Sequence, residues 1–260
     1  MAVTHGINTS KKATSVSVPV TVASGVHFAV GTAPVQMVGG KTNEVIMLNS
    51  YEEAVQLLGY SDDWQKYSLC MEVYSAFMLY KIAPVFVVNV LDPAKHRTEE
   101  KAATYTPIEN RVELPLEVIA DSVKVEGKVK GEDFEVFYTN TACVVEFTTD
   151  TTGEVRVTSI SVDPSQVTKR DVIGGHDVTT HAVTGLELID STFPKYTIAP
   201  DLIVCPNWSH DPEVAAVMSA KGENINGVFP AMAMIDLASS DTDGATYYTD
   251  APALKKRNNF

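Results

Sequence analysis

Apolar residues alternate with polar ones near the start of the chain, where Val16, Val18, Val20 and Val22 are separated by Ser17, Pro19 and Thr21. A period of two places the four valines on one face of an extended strand, and Pro19 removes a backbone donor, which suits an arm or an edge. Residues 1–24 are therefore expected to form an extended N-terminal arm. A second strand is predicted at Val26 to Val30, closed by Gly31 and Pro34, and a short third one at Asn43 to Leu48. Ser50 with Glu53 three residues later is a capping-box pattern, so a helix should start there and stop at Gly59. From Asp62 to Ile82, apolar residues recur at helical spacing: Trp64, Tyr67, Met71, Tyr74, Phe77, Met78 and Ile82. Leu69, Val73 and Leu79 lie on the other faces, which predicts the longest helix, buried on most sides. Ala83-Pro84 ends it, and the apolar run Val85 to Leu91 reads as a buried strand flanked by helices.

The pattern changes after Asp92-Pro93. Between Ile108 and Leu188 no helical period is evident. Short strands are predicted instead at Val112 to Ile119, Ser122 to Val129, Phe134 to Thr139, Ala142 to Thr148 and Glu154 to Val162. Gly127, Gly131, Asp150 to Gly153, Asp163-Pro164 and Gly174-Gly175 punctuate them, as in an antiparallel sandwich or barrel-like unit. Helix-and-strand patterning resumes at the strand Asp201 to Pro206. Asp211 and Pro212 then open a helix with Val214, Ala215, Val217 and Met218 inward and Gly222 at its end. Gly227 to Leu237 is a further apolar strand. The fold class is thus α+β or α/β: a mixed sheet with flanking helices, interrupted by an inserted antiparallel β-domain. The expected divisions are an arm at 1–24, a first α/β part at 25–95, the β-domain at 96–194 and a second α/β part at 195–260.

Charge narrows the partners. With 20 Lys and Arg against 33 Asp and Glu, the net charge is -13, which repels a phosphate backbone, so nucleic acid is not expected. No stretch reaches the roughly 20 apolar residues of a membrane span, and Lys11 and Lys12 precede no signal-peptide core. A soluble protein made in the cytoplasm is expected. Cys70, Cys143 and Cys205 sit in apolar surroundings and read as buried free thiols.

Candidate chemistry is sparse. His176 and His181 lie five apart, with Asp171 and Asp177 nearby, but zinc-type spacings are missing and no metal is expected. Phosphate- and dinucleotide-binding glycine motifs are absent from the sequence, as is the Gly-x-Ser-x-Gly elbow. Cys205, His210 and Asp211 fall where an open α/β sheet carries ligands, at a strand's end before a helix. A nucleophile system there competes with a simpler reading, in which Asp211 caps a helix and Cys205 faces the core. Glu52 and Glu53 suit a helix N-terminus better than an acid/base pair. No catalytic, cofactor-binding or metal residue is expected, and no cofactor. The β-domain, with Glu132, Asp133 and Glu135, has two readings: a surface module recognising carbohydrate or protein, or a merely solvated decoration.

Three stretches are similar to one known family. Ser24-Gly25-Val26-His27-Phe28-Ala29-Val30-Gly31-Thr32-Ala33-Pro34 follows the valine-rich arm; Asn49-Ser50-Tyr51 is followed by Leu58-Gly59-Tyr60; and Tyr196 to Pro206 leads into the next helix. In this order they resemble the tail sheath proteins of contractile phage tails and R-type phage-tail-like bacteriocins. The resemblance implies a structural subunit without a catalytic residue, polymerised around a tail tube and contracting to drive it through a cell envelope. Implied partners are other sheath subunits, the tube protein, and baseplate and collar proteins. Implied locations are the bacterial cytoplasm during assembly and the released particle afterwards. It also implies linkage by strand addition, for which the arm residues Gly6, Ile7, Val16, Val18, Val20 and Val22 are the candidates. Sheath proteins continue into a C-terminal domain beyond the position of Phe260, so this chain is expected to lack that domain and to be monomeric by itself.

Overall fold

The computed structural model describes residues 25–237. In chain order its strands and helices begin with β1 (His27–Gly31), β2 (Ile46–Leu48), α1 (Tyr51–Leu58) and α2 (Ser68–Val73), which runs on as a π-helical segment, Tyr74–Tyr80. β3 (Val85–Asn89), β4 (Lys101–Tyr105), β5 (Arg111–Pro115), β6 (Lys124–Val125), β7 (Phe134–Tyr138), β8 (Ala142–Phe147) and β9 (Val155–Ser159) follow. The remainder is α3 (Lys169–Ile173), β10 (Gly175–His176), β11 (Val183–Thr184), α4 (Thr192–Tyr196), β12 (Leu202–Val204), α5 (Pro212–Glu223) and β13 (Met232–Met234). The fold is α+β, with one mixed sheet and separate antiparallel sheets.

The mixed sheet has the order β13-β12-β1-β3-β2, parallel except for the edge strand β2. Its centre is β1, and pairs of neighbouring positions fall on opposite faces because strand side chains alternate. Phe28, Val30, Phe86, Val88 and Ile203 face one core with Val214 and Met218 of α5. Ala29, Val85, Val87 and Val204 face another with Ala54 and Leu58 of α1 and Leu69, Val73 and Phe77 of the following helix. The step from β1 to β3 runs one way along the sheet and that from β12 to β13 the other. Crossovers of one hand must then place their helices on opposite faces, as they do.

Strand ends are fixed by side chains. Asn89, the polar residue in the apolar run, is fully buried; its Oδ1 accepts from Ala33 N at 2.9 Å and Leu91 N at 3.1 Å, and its Nδ2 donates to Leu91 O at 2.9 Å. Ser68 N donates to Thr32 Oγ1 at 3.0 Å while Thr32 N donates to Ser68 Oγ at 3.2 Å, which pins the start of α2 to the end of β1. Ser50 caps α1 by accepting from Glu53 N at 3.1 Å, and Gly59 closes it. The Glu53 carboxylate reaches Asn49 N at 2.8 Å, one residue before the expected partner Ser50.

The predicted helix over 62–82 differs in two ways. It begins at Ser68, because Trp64 N and Tyr67 N bond Asp62 O and Asp63 O in turns that precede it. Its second half, Tyr74–Tyr80, is π-helical, and burial ends at Phe77, with Met78, Leu79 and Tyr80 exposed. The predicted strand 227–237 shortens to β13, an edge with Met232 and Met234 exposed.

Two three-stranded antiparallel sheets, β4-β9-β6 and β5-β8-β7, share one core formed by Val112, Leu114, Val125, Phe134, Cys143, Val145 and Val157 among others. Arg111 to Pro115 shows the expected alternation, buried only at Val112 and Leu114. Gly127, Gly131 and Gly153 adopt positive φ at its turns, which glycine tolerates without strain. Entry and exit of this unit pair with each other, through Thr98 N to Ser161 O at 2.8 Å and Asp163 N to His96 O at 2.9 Å. Within the stretch expected to hold strands only, α3, the 3₁₀ segment Gly185–Ser191 and α4 are helical. Their Val172, Leu186 and Ile189, with Val167, belong to the core of the mixed sheet.

Gly222 lies against the edge strand: a Cβ there would come within 2.6 Å of Ala231 O, which itself accepts no relief from a flexible side chain because it is backbone. Gly222→Ala is expected to destabilise the protein by about 1–3 kcal/mol through overpacking, measured as a lower denaturant midpoint. An unchanged midpoint would show that β13 is free to move away.

Candidate functional site

The arm residues Gly6, Ile7, Val16, Val18, Val20 and Val22 lie outside the described residues. Their point of attachment is described. Gly25, at φ 75°, donates its N–H to Asp201 Oδ2 at 2.6 Å, and Val26 N lies 3.3 Å from the same oxygen. Asp201 N and Leu202 N return bonds to Val26 O at 2.9 and 3.2 Å. The chain therefore enters the central strand through a clamp supplied by the residue just before β12. From the same end of the sheet, Met78, Leu79 and Tyr80 project, and the neighbouring edge strand begins with exposed Met232.

At the opposite end, where strands β1 and β12 finish, the sheet has its switch point, and a cavity of about 350 Å³ opens there. Thr32, Lys66, Ser68, Asn207 and Trp208 line it. Its hydroxyls already bond one another, and Asn207 Nδ2 donates to Trp64 O at 2.8 Å. Cys205 is buried at 1% exposure while His210 is exposed. Burial pushes the Cys205 thiol well above its ordinary pKa, the reverse of what a nucleophile needs. Asp211 accepts from Glu213 N at 2.8 Å as the cap of α5 and pairs with Lys169 at 3.4 Å. Cys205 and Asp211 thus have the structural roles that competed with catalysis, and His210 stands exposed.

The histidine group divides in the same way. His176 and His181 face each other across the β10–β11 hairpin, ring centroids 6.2 Å apart. Asp177 turns back to accept from Thr179 N at 2.7 Å and Thr180 N at 3.0 Å. Asp171 belongs elsewhere, as the capping-box residue of α3 with Thr168 N at 2.8 Å and as the partner of Lys95. Among the described residues no group of three or more His, Cys, Asp or Glu converges as a metal would require. No helix among them is long and apolar enough to cross a membrane. Glu52 and Glu53 stand in the first turn of α1.

Sequence reasoning missed one concave region. A cavity of about 530 Å³ lies between α1, the turns before α2 and the β7–β8 turn, with Tyr51, Tyr60, Tyr74 and Tyr138 in its lining. In the sequence Tyr74 shows only as part of a helical period, and Tyr51 and Tyr60 only beside a helix cap and a helix stop. Tyr138 reaches the site across a sheet from the other unit, and no local spacing connects it with them.

Two measurements follow from the site chemistry. Burial by itself raises the Asp171 pKa, but the bonds from Lys95 and Thr168 outweigh it and hold the carboxyl at about 2. A depressed folded-state pKa contributes stability that is present above the unfolded value near 4 and lost as pH falls toward 2. Asp171→Asn should therefore flatten the acid limb of a stability-versus-pH curve in that window; an unaltered limb would exclude the role. Burial also raises the Cys70 and Cys143 thiols, to about 12 and about 11. Ellman's reagent at pH 8 should find no reactive thiol in the native protein and all three after unfolding; rapid labelling of native Cys205 would contradict its burial.

No family model matches the chain. The chain is similar to the tail sheath protein of Burkholderia phage BcepMu, with 23% identity over 235 residues. The similarity covers 86% of this chain and 47% of that protein, so the chain spans about half the length of the curated relative it matches.

Proposed function

We propose that this chain is a structural subunit of a contractile phage tail sheath, which surrounds a tail tube and shortens to drive it through a cell envelope. The observation that carries the reading is the similarity to a phage tail sheath protein along most of the chain, including both parts of the mixed sheet and the unit between them. The burial of Cys205 and the helix-capping bonds of Asp171 and Asp211 agree with a structural rather than a catalytic role. On this reading the partners are other sheath subunits first, then the tube, baseplate and collar proteins. The protein is assembled in the bacterial cytoplasm and carried in the particle, whether a phage or an R-type bacteriocin.

The link between subunits is strand addition by the arm, with its valines as the apolar face. The receiving edge we favour is β13, which has β12 on one side and no further strand among the described residues on the other. An extended segment laid there gains main-chain hydrogen bonds, and Met232 and Met234 offer alternate apolar contacts.

Antibodies raised against residues 25–237 should decorate tails along their whole length in electron micrographs. Deleting residues 1–24 should abolish incorporation into particles while leaving the unfolding free energy of the isolated protein within about 0.5 kcal/mol. Decoration restricted to a tail's tip, or unimpaired incorporation of the deleted form, would overturn the reading.

A further inference from the structure

The tyrosine-lined cavity has a chemistry that no role considered so far uses. The rings of Tyr51 and Tyr60 meet edge to face, with centroids 5.3 Å apart, and Tyr74 is backed by Trp64 at 5.5 Å. The Tyr138 hydroxyl is occupied: it accepts from Ala120 N at 3.0 Å and donates to Val118 O at 2.7 Å, leaving its ring for the cavity. Tyr60 differs. Its hydroxyl oxygen is buried beside the Trp64 indole and the Asp62 carboxylate, both within its hydrogen-bonding reach. Burial pushes the Tyr51 and Tyr60 phenols up, so both rings stay neutral.

The charged lining is one-sided. Asp62 is the carboxylate, and no lysine, arginine or histidine lines the cavity. Asp62 is exposed and in no ion pair among the described residues; the adjacent Lys66 is held by Asp63 at 3.1 Å and Glu117 at 2.9 Å. Aromatic faces carry negative charge density, and with a carboxylate beside them they attract a cation. A lysine ammonium or arginine guanidinium brings positive charge to those faces and to Asp62, whereas an anion would meet repulsion from Asp62.

The source of such a cation is constrained by the sequence. Many of the described lysines are already paired with carboxylates, including Lys41, Lys95, Lys124, Lys169, Lys195 and Lys221. The run Lys255-Lys256-Arg257 is the one place in the chain where three cations adjoin. At a net charge of -13, copies of the chain repel one another unless cations of one meet carboxylates of the next.

We propose that the Tyr51/Tyr60/Tyr74/Tyr138 cavity with Asp62 is a binding site for a lysine or arginine side chain, supplied by the run Lys255-Lys256-Arg257 of another copy. The assembly reading enters only in naming another copy as the source, and a peptide assay tests the site without any particle. A fluorescently labelled peptide of residues 251–260 is titrated into the full chain at low salt and followed by anisotropy. The same titration uses a receiver carrying Lys255→Glu, Lys256→Glu and Arg257→Glu, in which the chain's own run cannot compete.

The charge-swapped receiver is expected to bind the peptide at least as tightly as the natural chain. Asp62→Lys, at an exposed position that tolerates the change, should weaken binding at least tenfold, and Asp62→Asn by less. A peptide with its three cations replaced by alanine should not bind. Equal affinity of the Asp62→Lys and natural receivers would overturn the proposal, as would no binding to either receiver at millimolar peptide. Peptide binding with no decoration of tails would leave this site standing and remove the sheath reading; the converse result would remove this site alone.

Discussion

The pairing of β1 on both of its edges is the constraint from which the rest of the structure follows. His27 to Gly31 hydrogen-bonds β3 on one side, from the part of the chain before the sandwich, and β12 on the other, from the part after it. Neither half is a sheet of useful width without that strand, and three or more strands with a covered face are the usual requirement for independent stability. Because β1 is central, it must be apolar on both faces, and Phe28, Ala29 and Val30 are all fully buried. At roughly 1.5–3 kcal/mol for each large apolar side chain removed from water, these few residues weigh heavily against the ordering of the strand.

Such a strand can accept a polar residue only where its bonds are complete. His27 is the test: it lies under α2, and its Nδ1 meets Glu72 Oε1 at 2.5 Å with both side chains largely covered. Thr32 and Ser68 answer each other's backbone groups at the far end of the strand, and Asn89 satisfies three groups at once. Removing one member of any such pair would leave a buried group unpaired, which costs more than the bond itself gained. The sandwich avoids the problem by having its own core and a paired stem, so its insertion asks little of the sheet beyond closing one loop.

These features explain what could be read in the sequence. The apolar run at 85–91, the cap at Ser50, the stop at Gly59 and the Asp211-Pro212 helix start are local signals, and each lies where the residues indicated. Five sandwich strands were legible from short runs between turn residues, but β4 was not: Lys101 to Tyr105 is almost wholly exposed and is held by backbone pairing to β9, which leaves no apolar pattern. Helices of five residues, α3 and α4, are too short to show a period of 3.6, and their apolar residues belong to a core assembled from distant strands. The tyrosine cavity was illegible for a related reason, since Tyr51 and Tyr138 meet only after two separate units have folded and docked.

What remains uncovered is as informative as what is buried. The two helices on the α1/α2 side pack over β1, β2, β3 and part of β12, while β13 extends beyond them and leaves Met232 and Met234 exposed on that same face. Burying either methionine against an apolar partner would gain about as much as burying a core leucine, so this margin of the sheet has a strong tendency to be covered. The net charge opposes the simplest outcome, indiscriminate stacking of copies, because approach of two surfaces at -13 is repulsive over about a Debye length. An apolar margin guarded by like charge favours contacts that bring a strand to the edge and cations to a carboxylate together, and disfavours those that bring only one.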